Sequence, residues 1–325
     1  MKINYELSAY ALCLKAIDGV GNKKAVDLMN AFPSIGMFSE ADPSVFSRIV
    51  GQKIGDDVAA VRSSLISEWM KRITETIDGY REDHIEVIAL QDQAYPQKLR
   101  NTNDPPLVVY VRGNITSLQQ ERSVAIIGTR SPTDNGMVQA MELSESLSRH
   151  GVVVVSGLAK GIDTAAHIGS VRAKSPGVSV FGTDLTTVYP KENQQLALDL
   201  IDQGGAVISE IGPGERTGRG AFVRRDRIQA GLSDVIIPVQ SDIDGGTMHT
   251  VQFGINYRRP VFVPIPSDQD MTAECVRGTQ ALVEDGKASS FPLDDPWGFW
   301  RKDFSEIAQS ELVSEVSDEQ IRLDI

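Results

Sequence analysis

Cysteine is nearly absent: Cys13 and Cys275 are the only two in 325 residues. Thiols so far apart make neither a disulfide framework nor a metal-ligand set, and they fit a reducing cytoplasm. No window approaches the roughly 20 apolar residues of a membrane span, and the N-terminus has no apolar signal core. Membrane insertion and secretion are therefore not expected, and the expected location is cytoplasmic. The Gly-x-Gly-x-x-Gly fingerprint is missing, which removes support for ordinary NAD dehydrogenase chemistry. There is no internal repeat and no low-complexity tract. An excess of positive charge is missing as well: the formal net charge is −12. That argues against a broad nucleic-acid-coating surface. A local basic groove stays open, because screening confines charge effects to roughly 10 Å at moderate salt. What remains is a globular composition, 41% hydrophobic and 23% charged, long enough for more than one domain.

Three regions separate by pattern. Residues 1–83 read as a helical N-terminal domain. Within it, residues 14–29 resemble a helix–hairpin–helix turning at Gly19, Val20 and Gly21. Such a hairpin either presents backbone N–H groups to a DNA phosphate or is a plain two-helix turn. Residues 84–290 alternate strand and helix. The predicted strands are 85–90, 107–111, 124–127, 152–155, 178–181, 206–209, 235–239 and 261–263. The predicted helices are 137–149, 162–171, 194–203, 225–232, 247–256 and 273–285. This alternation predicts an α/β fold, an extended Rossmann-like parallel sheet with helices on both faces. Ligands of such sheets bind beyond the C-terminal strand ends. Residues 291–325 form an acidic tail with an aromatic knot at Pro296–Trp300.

The four valines Val152–Val155 suggest a strand buried on both faces. The turn Ser156, Gly157, Leu158, Ala159, Lys160, Gly161 then opens a helix. Glycine freedom, open N–H groups and the helix dipole make this an expected anion site, with Lys160 adding charge. After the preceding strand, Gly128, Thr129 and Arg130 offer a second set of donors. Arg130 is suited to bidentate phosphate contact, the alternative being a structural ion pair. Asp163 and His167 are four apart on one helical face. They are read as structural, Asp163 ordering the glycine turn and His167 hydrogen-bonded beneath it. Lys191 and Asn193, after Tyr189-Pro190, either meet phosphate with Tyr189 stacking on a base, or start a helix with Asn193 as its cap. Arg224, Arg225 and Arg227 crowd what reads as the start of a short helix, and phosphate or base-edge contact is expected of them. Gly245-Gly246-Thr247 is a further turn suited to an anion. No catalytic pair, metal site or cofactor site is read.

The order of these segments resembles the DNA-processing protein A (DprA/Smf) family over roughly residues 10–290. It runs Tyr95-Pro96, Asp104–Gly113, Ile127–Arg130, Ser156–His167, Tyr189–Asn193, Ser209-Glu210, Phe222–Ile228 and Gly245–Thr250. The resemblance implies a non-enzymatic, sequence-independent single-stranded DNA-binding protein, a homodimer that loads a RecA-type recombinase during DNA uptake. The implied contacts are Arg130, the turn 156–161, Lys191 and the three arginines. The chain departs from the family in reading Arg225-Asp226-Arg227 where members have Arg-Asn-Arg. The run Gln240–Gly246 is more acidic than usual, and the stretch after Gly286 is too short for a winged-helix domain. A divergent branch, in a defence or mobile-element setting, fits these departures. The alternative is a Rossmann-like protein that senses or hydrolyses a nucleotide. Asp244-Gly-Gly-Thr247 lacks the closing glutamate of nucleotide hydrolases of this type, so sensing is favoured over hydrolysis.

Overall fold

The structure, a computed structural model, describes residues 2–218 and 220–294. Arg219, the aromatic knot at Pro296–Trp300 and nearly all of the acidic tail lie outside the described residues. Helices α1 (Tyr5–Lys15), α2 (Asn22–Ala31), α3 (Ile35–Glu40), α4 (Pro43–Val50), α5 (Gln52–Ser64) and α6 (Met70–Glu82) come first. Their starts are written locally. Asn4 accepts from the Leu7 N–H at 3.1 Å, Ser34 from Met37 at 3.2 Å, and Asp42 from Ser44 at 2.8 Å with Pro43 opening the helix. The hairpin between α1 and α2 turns at Gly19, whose φ of +74° suits glycine. Tyr10, Phe32, Phe38 and Phe46 cluster beneath, with the Phe38 and Phe46 rings 5.0 Å apart.

The rest of the chain builds a seven-stranded sheet and its helices. In order these are β1 (Ile85–Ala89), α7 (Gln97–Arg100), β2 (Val108–Gly113), β3 (Ser123–Ile127), α8 (Asp134–Arg149), β4 (Val153–Ser156), α9 (Ile162–Arg172), β5 (Gly177–Val180), α10 (Gln194–Asp202), β6 (Ala206–Ser209), α11 (Ala221–Leu232), β7 (Val235–Pro238), α12 (Thr247–Asn256), β8 (Phe262–Pro264), α13 (Arg277–Glu284) and β9 (Ser289–Phe291). The sheet order is β1-β2-β6-β5-β4-β3-β7, and β8 pairs with β9 in a small second sheet. The five strands β6 to β7 are parallel. β2 runs antiparallel to β6, and β1 antiparallel to β2. The sheet is thus Rossmann-like, with an antiparallel extension that strand alternation alone did not reveal.

Alternate residues of each strand feed opposite layers. Val124, Ile126, Val152 and Val154 pack under α8 and α9. Val153, Val155, Val178 and Val180 pack with Ile228 and Leu232 of α11 on the other face. The N-terminal helices continue the first layer over β1 and β2: Ala9, Cys13 and Leu14 of α1 share one cluster with Val87, Val108 and Tyr110. The successive crossovers from β3 to β6 step one way, and α11 then returns the chain past β3 to β7. The strand order therefore reverses between β3 and β7, which opens a crevice beyond their C-terminal ends.

Candidate functional site

A cleft of about 480 Å³ occupies that crevice. Its walls are the loop after β3 with Gly128, Thr129 and Arg130, the first turns of α11 with Phe222 and Arg225, and the Gly245–Thr247 turn into α12. One residue, through its backbone and its side chain, fixes the first and last walls together. Gln240 accepts the Thr129 N–H on its carbonyl at 2.8 Å, takes the Thr133 N–H on Oε1 at 3.0 Å, and donates from Nε2 to Thr133 Oγ1 at 2.9 Å. Thr133 in turn caps α8 through the Gly136 N–H. Among the described residues no side chain caps α12, so the positive end of that helix stands at the cleft.

The floor is built around Arg225, which is almost fully buried. Its Nη1 donates to the Val180 carbonyl at 3.2 Å, and its Nε lies 3.4 Å from Asp226 Oδ1. That second contact is an ion pair without hydrogen-bond alignment, and Nε has no acceptor among the described residues. Gly157 makes room for the guanidinium: a Cβ at 157 would sit 1.3 Å from Nη1. Asp163 accepts from the Gly157 N–H at 3.1 Å. Burial raises the Asp163 pKa, while Arg225 and the nearby N–H groups pull it down. Burial likewise pushes Asp226 up to about 7, against the pull of Arg225 and with a further push from Asp163. With its amide oriented to suit its neighbours, Gln229 donates to Asp226 at 3.1 Å and accepts from Gly157 at 2.9 Å.

The anion site expected after Val155 is filled from within. The Asp163 carboxylate takes the Gly157 N–H, while the Thr129 and Ala159 carbonyls take the N–H groups of Ile162 and Thr164. Ser156 is buried and donates to the Ile126 carbonyl at 2.6 Å. Gly161, at φ +80°, lets the turn pass beneath the β3 loop, where a Cβ would meet the Thr129 carbonyl at 2.4 Å. The turn 156–161 is thus a support under the cleft. Asp163 accepts from the Gly157 N–H within it. His167 is fully buried, and neither ring nitrogen meets a hydrogen-bond partner among the described residues, which departs from the expectation; desolvation pushes its pKa down to about 3. The ring is therefore neutral, the nearby Ser156 backbone favouring its charged form too weakly to matter.

The arginine group divides. α11 starts at Ala221, four residues earlier than expected, so Arg224, Arg225 and Arg227 lie within the helix. Arg225 and Arg130 line one cleft. Arg224 and Arg227, three apart on another helical face, line a separate groove beside α1 and α2. Arg227 is buried, held by a close ion pair with Glu210 and by the Asp104 carbonyl at 2.7 Å. Lys160 pairs with Glu192 at 2.6 Å, and both it and Lys191 are exposed outside the cleft lining. Asn193 is buried: it donates to the Leu158 carbonyl and to Thr164 Oγ1, each at 2.8 Å, and so ties α10 to the turn rather than facing solvent.

Three contributors escaped sequence reasoning. Gln240 and Gln229 join segments far apart in the chain, and no local signal marks them. Phe222 enters the sequence reading only as the first residue of the Phe222–Ile228 segment. Its ring lies 5.6 Å from that of Tyr189, which is 54% exposed, so the two form an aromatic ledge at the cleft. Among the described residues no helix is long and apolar enough to cross a membrane, and no group of three or more metal-ligating side chains occurs.

The sequence matches the family described as DNA recombination-mediator protein A over residues 86–295. It is 33% identical over 259 residues to the DNA processing protein DprA of Bacillus subtilis (strain 168), covering 79% of this chain and 86% of that one. The DprA of Streptococcus pneumoniae (strain ATCC BAA-255 / R6) is 30% identical over 238 residues, 72% of this chain and 82% of that one. The X-ray structure of DprA from Streptococcus pneumoniae superposes with a TM-score of 0.69 at 25% identity, covering 90% of this chain and 95% of that one. A Helicobacter pylori DprA structure, described for its single-stranded DNA binding mode, gives 0.57 at 26% identity over 71% of this chain and 96% of that one. The switch-point cleft described above thus sits in a fold and a sequence shared with these proteins, and the chain belongs to the DNA recombination-mediator protein A family, the DprA/Smf proteins.

Proposed function

We propose that the protein binds single-stranded DNA, without sequence preference, in the cleft between the β3 and β7 loops. It does so as a homodimer in the cytoplasm and delivers the strand to a RecA-type recombinase. The carrying observation is that Arg130 and Arg225 line one cleft at the reversal point of the sheet, beside the uncapped start of α12. Arg130 is exposed at the rim and free to follow a phosphate, whereas Arg225 sets the potential of the floor from below. The Tyr189–Phe222 ledge gives a base a face to stack on, a contact that tolerates any sequence. The family's character as recombination mediators, and the single-stranded DNA binding of the Helicobacter pylori relative, support the same reading. The activity is read as binding: Asp163, though it lines the cleft, is engaged with the Gly157 N–H, and the His167 imidazole is fully buried.

Labelled oligo-dT titrated across a salt series tests this. Arg130→Ala is expected to weaken binding about tenfold, the loss of one charge-assisted contact, and to flatten the log–log salt slope by about 0.7. Unchanged affinity would remove the cleft as the binding site. Mass determination in the same buffers checks the dimer. A mononucleotide is the second reading, because a volume of about 480 Å³ suits a small ligand. Thermal-shift titrations of nucleotides against oligonucleotides separate the two, the true ligand giving stabilisation that grows with its concentration.

A further inference from the structure

The sheet edge that carries the cleft also releases the acidic segment of the chain. β8 continues the direction of β7 through the parallel Ile236–Val261 bridge, and β9 runs parallel to β8. The C-terminal end of β9 therefore lies on the same edge as the ends of β3 and β7, where the cleft opens. Leu293, two residues past β9, joins the apolar cluster that also holds Met137 and Met141 of α8. Met137 stands one helical turn, about 6 Å, beyond Thr133, the residue through which Gln240 clamps the cleft wall. The chain thus passes its last described residue, Asp294, close to the cleft.

The sequence that follows shares its chemistry with a strand of nucleic acid. Residues 303–325 hold seven carboxylates and one arginine, so 23 residues carry half of the chain's net charge of −12. Phe304, Ile307, Leu312, Val313 and Val316 alternate with the acidic positions. A phosphodiester strand also sets negative groups between apolar base faces, and a segment of this charge is drawn to a positive site within reach. Asp303 is nine residues past Asp294, a span of at most about 30 Å. We propose that residues 303–325 dock in the cleft, their carboxylates taking the places of phosphates at Arg130 and at the start of α12, and that a single strand binds by displacing them. This rests on the DNA-binding reading of the cleft. A short tether holds such a segment at an effective concentration on the order of millimolar. An intrinsic dissociation constant ten times smaller then weakens strand binding by about tenfold.

The test neutralises the segment within the full chain, as Glu311→Gln/Glu315→Gln/Asp318→Asn/Glu319→Gln, and measures oligo-dT affinity at low salt with and without Arg130→Ala. The neutralised protein is expected to bind about tenfold more tightly than the parent. In the Arg130→Ala background the same substitutions should gain only about threefold, because the carboxylates have lost a partner they share with the strand. A synthetic peptide of residues 303–325, added at millimolar concentration, should weaken oligo-dT binding by the neutralised protein. No gain on neutralisation overturns the docking, as does a peptide without effect. An equal gain in both backgrounds overturns it too, since that is general repulsion between the segment and the strand. If Arg130→Ala changes the affinity of neither protein, the cleft reading itself has failed, and the docking with it.

Discussion

Arg225→Ala is expected to cost about 3–5 kcal/mol of folding stability, the loss seen when one partner of a buried charge cluster is removed. The guanidinium is the counter-charge for two buried carboxylates, Asp163 and Asp226, each of which it pulls toward its ionised form. Truncation leaves both without it and leaves the Val180 carbonyl without its donor. It also empties the space that Gly157 keeps open beneath the floor. Chemical denaturation at neutral pH checks this: the midpoint should fall strongly, and Arg225→Lys should recover only part of the loss, since a lysine has no planar fork. Arg130→Ala in the same assay should stay within about 0.5 kcal/mol, as exposed substitutions do. A drop below 1 kcal/mol for Arg225→Ala would mean that the charge cluster does not hold the floor together. The contrast separates an arginine that builds the cleft from one that meets the ligand.

Most of the architecture was readable from the chain. Val152–Val155 announced a strand buried on both faces, and residues 153–155 do feed two opposite layers. The glycine turn after it was read as a ligand site because its N–H groups looked open. Asp163 was read as ordering that turn, and its carboxylate takes one of the donors the turn would have offered, the Gly157 N–H. The start of α11 was missed because Gly220, in the left-handed region, gives no capping side chain. Once the helix begins at Ala221, its periodicity places Arg224 with Arg227 and sets Arg225 apart. The division of the arginines was therefore latent in the sequence, hidden by one wrong boundary. Gln240 was beyond reach: its clamp closes over more than a hundred residues of chain, and no local pattern encodes which loops meet. The same holds for the direction of β1 and β2, since a run of apolar residues fixes a strand without fixing its partner.

The residue that departs from the family pattern carries the second large expectation. Asp226 lines the cleft, lies mostly buried, and has its pKa pushed up to about 7. A carboxyl whose folded pKa exceeds its unfolded value favours the folded state fully below the unfolded pKa, near 4. That contribution is lost as pH rises toward and through 7. Ionised Asp226 also faces any phosphate brought to Arg130. A like charge about 6 Å away at an effective dielectric near 20 costs on the order of 3 kcal/mol, close to a hundredfold in affinity. Asp226→Asn removes the charge and keeps an oxygen for the Gln229 amide. At pH 8 the variant should bind oligo-dT about a hundredfold more tightly than the parent and denature later. Near pH 5, where the folded parent's carboxyl is protonated, the affinities should converge, while the stability gap narrows and closes only below about pH 4. Parent affinity should therefore climb as pH falls through 7 while the variant's stays nearly level. A parent as flat as the variant over that window would show that Asp226 does not titrate against the bound strand. The aspartate then acts as a brake on binding, relieved by a proton.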